Sequence, residues 1–227
     1  MHLSFSQDEK TKKKYKKNFG KYNFIFISIL LYYSVVLYSL QKTMNLFLNA
    51  VSSNGKIILF DNNRQIVWEK EVSVLLNESS KLIDIVDMFL SSMNTKIKDI
   101  ENIVVVHGPG SFTGIRTIVL LVNTLSFIYP KLHLTPLSFF DMYKNYPICK
   151  TSSKRDLFVK YSKSAIIEVV KNEELESKYK WKDVYGDISL PKIQCHQDID
   201  YKGIIETLKF RQEKKIETLY IKKPNIS

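Results

Sequence analysis

Between Ile103 and Arg116 the chain reads Ile-Val-Val-Val-His-Gly-Pro-Gly-Ser-Phe-Thr-Gly-Ile-Arg, and this stretch holds the residue types best suited to chemistry. Gly108 and Gly110 free the backbone for a tight turn, and Pro109 stiffens it. Ser111 or Thr113 can cap a following helix, and Gly114 lets that helix lie close to a neighbour. A turn of this kind points N–H groups outward at a helix N-terminus, where an anion is favoured. Spacing excludes three familiar sites. A Walker loop needs lysine after its last glycine, and none follows Gly114 until Lys131. The dinucleotide fingerprint needs two residues between its second and third glycines, whereas Ser111, Phe112 and Thr113 intervene here. A nucleophile elbow needs glycines two before and two after its serine; Ser111 has Pro109 and Thr113 there. Spacing alone leaves open a turn that only packs.

The other reactive side chains are scattered. The histidines are His2, His107, His133 and His196, without metal-ligand spacing, and Cys195-His196 lies 46 residues from Cys149. Three or four converging ligands are needed, so no metal site is expected. Two cysteines make no disulfide framework and suit a reducing compartment. Asp84 and Asp87 read as the solvated side of a helix. Arg116 reads either as a surface arginine or as a side chain reaching the turn or a partner. His107 reads as a buried, hydrogen-bonded strand end.

Elements must position these groups. Three strands are expected near 45–51, 56–61 and 65–73, joined by turn residues Ser52-Ser53-Asn54-Gly55 and Asp61-Asn62-Asn63 as antiparallel hairpins. A helix comes next near 79–93, capped by Asn77 or Ser79. The continuously apolar run Ile103–Val106 predicts a buried parallel strand at 102–106, and the glycine turn leads from it into a helix near 112–129. Pro130 stops that helix before a strand at 132–134, and a short helix runs from Pro136 through Tyr143. Beyond Tyr146 strands are expected at 146–150, 156–161, 165–170 and 192–196, with a charged stretch from Lys171 to Lys180. A helix near 199–212 precedes a last strand, Thr218 to Ile221. No internal repeat is visible.

Both early helices are apolar on more than one side, which a helix lying on a sheet and facing water should not be. Leu82, Ile83, Val86, Phe89 and Leu90 on the first, with Ile118, Val119 and Val122 on the second, form either a docking surface or a core covered by the rest of the chain. On the docking reading, Val122→Asp should abolish pairing and leave the chain folded.

A chain of 227 residues, 44% hydrophobic, holds one or two small domains. Of the net charge of +11, residues 1–43 carry +6, eight lysines against Asp8 and Glu9. The remainder permits, without requiring, loose contact with a polyanion. Phe24 to Leu40 is a 17-residue uncharged segment behind a basic flank. Three readings fit: a membrane tether, a masked interaction helix, or translated upstream sequence ahead of Met44, which is preferred.

The string Gly108-Pro109-Gly110-Ser111-Phe112-Thr113-Gly114-Ile115-Arg116 resembles the signature of the TsaB (YeaZ) family. The resemblance is good from Met44 to about Asp141, weak to 215, and modest at Thr218-Leu219-Tyr220-Ile221-Lys222-Lys223-Pro224. Ser153 to Val159 matches the family's corresponding strand poorly. The resemblance implies an α/β, actin-like ATPase (ribonuclease H-like) fold, with a ββαβαβ-type first domain at 44–145 and an abbreviated second domain at 146–227. It implies a cytoplasmic, non-catalytic subunit with no cofactor of its own, required for threonylcarbamoyl transfer to adenosine 37 of tRNA. Such a subunit pairs with a TsaD-type catalytic subunit through its first two helices, as a four-helix bundle. tRNA is met indirectly, and the sequence leaves open whether a TsaE-type ATPase joins and whether the chain forms a homodimer when alone. The actin-like class needs an aspartate ending its first strand; here Ala50 stands there, beside Asn49, with no Asp or Glu between Met44 and Phe60. Glu78 replaces a family histidine. An active small kinase or hydrolase of the same fold, or a membrane-tethered interaction protein, are the alternatives.

Overall fold

The computed structural model describes residues 43–52, 55–72, 82–93, 95–110, 112–177 and 183–221. The basic extension, the 24–40 segment, Ser111, Glu78, the caps at Asn77 and Ser79, and Lys222 to Pro224 lie outside the described residues.

Strands β1 (Met44–Asn49), β2 (Gly55–Asp61) and β3 (Ile66–Val72) form an antiparallel meander, as the turn residues predict. Helix α1 (Leu82–Ser92) leads to β4 (Ile100–Val106), and α2 (Phe112–Ile128) to β5 (His133–Leu137). Both β4 and β5 run parallel to β1, giving the order β3-β2-β1-β4-β5. The central strands are apolar on both faces because both are covered. Leu46, Leu48, Ile103 and Val105 meet Val86, Phe89, Ile118 and Val122 of the helices. Phe47, Ile58, Val104 and Val106 face a second cluster with Phe139, Ile148, Phe158 and Tyr201.

The second sheet contains β6 (Ile148–Thr151), β7 (Asp156–Lys160), β8 (Glu168–Lys171), β9 (Asp183–Asp187) and β10 (Gln194–His196). Its order, β10-β9-β6-β7-β8, repeats the first: a three-strand meander, then two strands parallel to its first member. The sequence conceals this repeat because the second copy is cut down. Six-residue α3 (Asn172–Ser177) stands where α1 stands, and a bridge between Leu190 and Ile193 stands where α2 stands. Helix α4 (Tyr201–Thr207) comes after β10.

Several expectations need correction. Pro136 lies in β5, opposite Val105; β5 ends the sheet's strand order, so the missing N–H breaks no ladder. A 3₁₀ turn starts only at Phe139–Met142, where Ser138 Oγ accepts from Phe140 N at 3.2 Å and Asp141 Oδ2 accepts from Ser138 N at 2.9 Å. The sequence reading missed β9, whose Asp-Val-Tyr-Gly-Asp has no apolar run, and α3 inside the charged stretch. Helix α4 stops at Thr207, and Arg64 Nη2 donates to Leu208 O at 3.2 Å. Residues 218–221 form no strand; Leu219 N donates to His107 O at 3.0 Å. Among the described residues no helix is long and apolar enough to cross a membrane.

Burial also sets a pH limit. The Cys149 thiol is pushed up to about 12 and the Tyr201 phenol to about 12, each mainly by burial. A raised folded value means that stability is complete below the unfolded value and is lost as pH climbs through the folded one. Unfolding free energy should therefore fall from about pH 9 to 12, by at most about 1.4 kcal/mol per pH unit for each group. Lys150, lowered by burial against its pairing with Asp187, opposes this below its ordinary value. Urea titrations at pH 8, 9.5 and 11 should show the decline, and Cys149→Ala should flatten its first part.

Candidate functional site

The glycine turn sits between β4 and α2, held by contacts from three sides. His107 N donates to Leu137 O at 3.0 Å, and Phe139 N donates to Gly108 O at 2.7 Å, tying the turn to β5 and to the 3₁₀ turn at Phe139. His107 Nδ1 lies 2.7 Å from Glu217 O; a carbonyl only accepts, so Nδ1 carries the proton. His107 is thus a hydrogen-bonded strand end, though half-buried rather than buried. Gly108 has φ +133°, and a Cβ there would meet Leu219 O at 2.7 Å. A Cβ on Gly110 would meet Val51 Cβ at 3.1 Å. Pro109 follows a cis bond and is buried. Gly108→Ala combines a left-handed φ with a backbone clash, so it should cost about 2 kcal/mol and loosen residues 216–221. A thermal melt with amide exchange on Leu219 checks this. Phe112 and Thr113 belong to α2 by backbone, their side chains lying outside the described residues, and Gly114 is half-buried.

At the end of β1, Asn49 is buried and committed. Its Nδ2 donates to Tyr201 OH at 2.8 Å and to Ser52 Oγ at 3.1 Å, while Oδ1 accepts from Val51 N at 3.3 Å and Ser52 Oγ at 3.2 Å. A neutral amide in a closed network offers a divalent cation no anchoring charge. Among the described residues no three His, Cys, Asp or Glu converge as metal ligands. His196 Nε2 instead lies 3.2 Å from Asp183 Oδ1 and its ring stacks on Tyr185. Asp84 and Asp87 are exposed, as their spacing predicts.

The helix surface differs from expectation. Val86, Phe89, Leu90, Ile118, Val119 and Val122 are buried against the chain's own sheet, Val122 with 0% exposure. Of the eight residues expected to meet a partner only Ile83 is exposed, at 55%; the side chain of Leu82 lies outside the described residues. The core alternative therefore holds for those six. Outward instead point Met88 (61% exposed), Leu120 (69%), Phe127 (86%) and Ile128 (57%). The spacing Leu120, Phe127, Ile128 is one helical stripe, and this signal was readable. Arg116 is exposed on the same helix and lines a groove with Val119, Leu120 and Tyr220.

A family model for TsaD, tRNA N6-adenosine threonylcarbamoyltransferase, matches residues 76–137, the segment that carries α1, the glycine turn, α2 and β5. The solved structure of YeaZ from Pseudomonas aeruginosa superposes with a TM-score of 0.52 at 13% identity, covering 71% of this chain and 88% of that one. The chain shares the fold of that YeaZ structure. A search of curated proteins returned no match. A second structure, an uncharacterised protein with similarity to peptidase YEAZ from Pseudomonas aeruginosa, aligns at 13% identity with a TM-score of 0.45. It covers 57% of this chain, which spans 64% of its length. The fold shared with YeaZ is an α/β fold of the actin-like, ribonuclease H-like kind, and residues 76–137 are similar to the TsaD family model.

Proposed function

We propose that this chain is a non-catalytic partner subunit for threonylcarbamoyl transfer to adenosine 37 of tRNA, working in the cytoplasm and docking on a TsaD-type catalytic subunit. The observation that carries this reading is the outer face of α1 and α2. Ile83, Met88, Leu120, Phe127 and Ile128 leave apolar surface to water where the sheet side already has its core. Such surface is kept for a partner. The amide network at Asn49, in place of a carboxylate, supports a chain that leaves bond-making to that partner. On this reading 44–145 is the docking half and 146–227 a reduced second half behind it. It takes no cofactor, meets tRNA through the complex, and pairs with itself through the same face when alone; a TsaE-type ATPase would join at the assembled pair.

The test is reconstitution. Chain plus TsaD-type subunit, given threonylcarbamoyl-adenylate and tRNA, should modify the adenosine, and the chain alone should not. Turnover of ATP with Mg²⁺ by the purified chain alone would overturn the reading in favour of a small kinase or hydrolase.

A further inference from the structure

We infer that a cleft along α4 is a binding site for a short peptide with free ends, about three residues long in extended form. Asp198 takes its ammonium and Lys209 its carboxylate. The apolar residues of this cleft belong to the cluster on one face of the first sheet, whereas α1 and α2 pack on the other, so the site is independent of the docking face.

The shape comes first. Asp200, Ile204, Thr207 and Leu208 line the cleft, and this spacing is a single helix face, so the cavity runs lengthwise along α4. Leu137 of β5, Met142 of the 3₁₀ turn and Phe210 complete an apolar floor with Ile204 and Leu208. The volume is about 760 Å³, inside the roughly 300–1,000 Å³ typical of small-ligand sites. Such sites pair an apolar floor with a few polar groups that fix orientation.

The polar groups choose the ligand. The carboxylates of Asp141, Asp198 and Asp200 face the cations of Lys144, Lys209 and Arg211, so the lining has no net charge with His196 neutral. A wall of that kind favours a zwitterion over a dianion. Four of these six side chains already have partners. Asp200 accepts from Lys144 Nζ at 2.7 Å and from Gly203 N at 2.8 Å, and Asp141 accepts from Ser138 N. Arg211 Nη1 lies 3.6 Å from Glu213 Oε1. The Asp198 carboxylate and the Lys209 ammonium, with the Asn145 amide and the Tyr185 hydroxyl, make no hydrogen bond or ion pair to a described residue. Asp198 stands just before α4 and Lys209 just after it, and a helix of 7 residues is about 10 Å long. A free amino acid carries its two charges one carbon apart and does not reach both. An extended tripeptide spans about 10 Å and does. Its inner amides need both a donor and an acceptor, which Asn145 supplies, with the Tyr185 hydroxyl as a second of either kind. Its middle side chain meets the apolar floor. Binding makes and breaks no covalent bond.

Calorimetry of the full chain with the tripeptide alanyl-leucyl-alanine is the test. The peptide should bind at one site, and acetylating its amine or amidating its carboxylate should each weaken binding about fivefold, the scale of one exposed ion pair. Asp198→Asn should weaken the free peptide about fivefold and leave the acetylated one as it was. Lys209→Gln should do the same for the free and the amidated peptide. Both residues are exposed, so neither variant should change the melting temperature. Leucine should not displace the peptide. No saturable binding of the peptide at millimolar concentration would overturn the site, as would equal binding of free and end-blocked peptides or full affinity in both variants. Tighter binding of adenosine monophosphate at the same place would replace the peptide with a nucleotide and overturn the ligand assignment. Leu120→Asp, which probes the docking face, should bind the tripeptide as wild type does.

Discussion

Val122→Asp should unfold the protein, and its loss of partner binding should be a consequence of that. The side chain has no exposure and packs with Ile118, Leu46 and Ile103 between α2 and the sheet. A carboxylate placed there has no cation and no water, and burying it costs several kcal/mol against a domain stability of about 5–15 kcal/mol. Circular dichroism should show no cooperative melt. Leu120→Asp, two residues earlier and 69% exposed, should melt within about 0.5 kcal/mol of wild type and yet fail to dock. The pair separates two properties that helix periodicity alone runs together. An apolar helix face can mean a core or a docking surface, and α2 has one buried apolar face and one exposed one.

Gly186→Ala should be nearly as damaging, in the other sheet. Gly186 stands opposite Cys149 where β6 pairs with β9, at φ +129°. A Cβ there would overlap the Cys149 carbonyl oxygen and lie 2.9 Å from its carbonyl carbon. Neither atom can give way, since both belong to a buried central strand. Left-handed strain and overpacking together should cost roughly 3 kcal/mol. The damage should reach the neighbouring pair, Lys150 Nζ to Asp187 Oδ2 at 2.7 Å, which lies against the Phe139 ring. A urea midpoint lowered by more than that of Gly108→Ala would support this; an unchanged midpoint would show that β9 can slide.

Legibility followed the strength of local pattern. The first sheet and its two helices were readable because Leu46 to Leu48 and Ile103 to Val106 are unbroken apolar runs and the separators are turn residues. The second sheet was read in part, because its strands are short and β9 carries Asp183, Gly186 and Asp187 where a run of aliphatics would announce it. The repeat of strand order between the sheets is a property of pairing, which no sequence period records once the second copy loses its long helix. The glycine turn was visible as a turn, but the contacts that hold it were not. His107 and Asn123 take their partners from residues 216–219, about a hundred positions away, and Gly108 lies against Leu219; Thr218 to Ile221 read as a strand because its β-branched and aromatic residues suit one. The split of apolar residues between core and surface was not legible for a related reason. Periodicity says which side chains share a face, and only packing says which face is already taken.

The central claim is that the outward side of α1 and α2 grips another protein. Sedimentation of the chain mixed with a TsaD-type subunit tests it most directly, with wild type beside Leu120→Asp. The account predicts one faster-moving complex for wild type, and two separate boundaries for the variant at an unchanged melting temperature. A complex of equal mass and affinity formed by Leu120→Asp would contradict it.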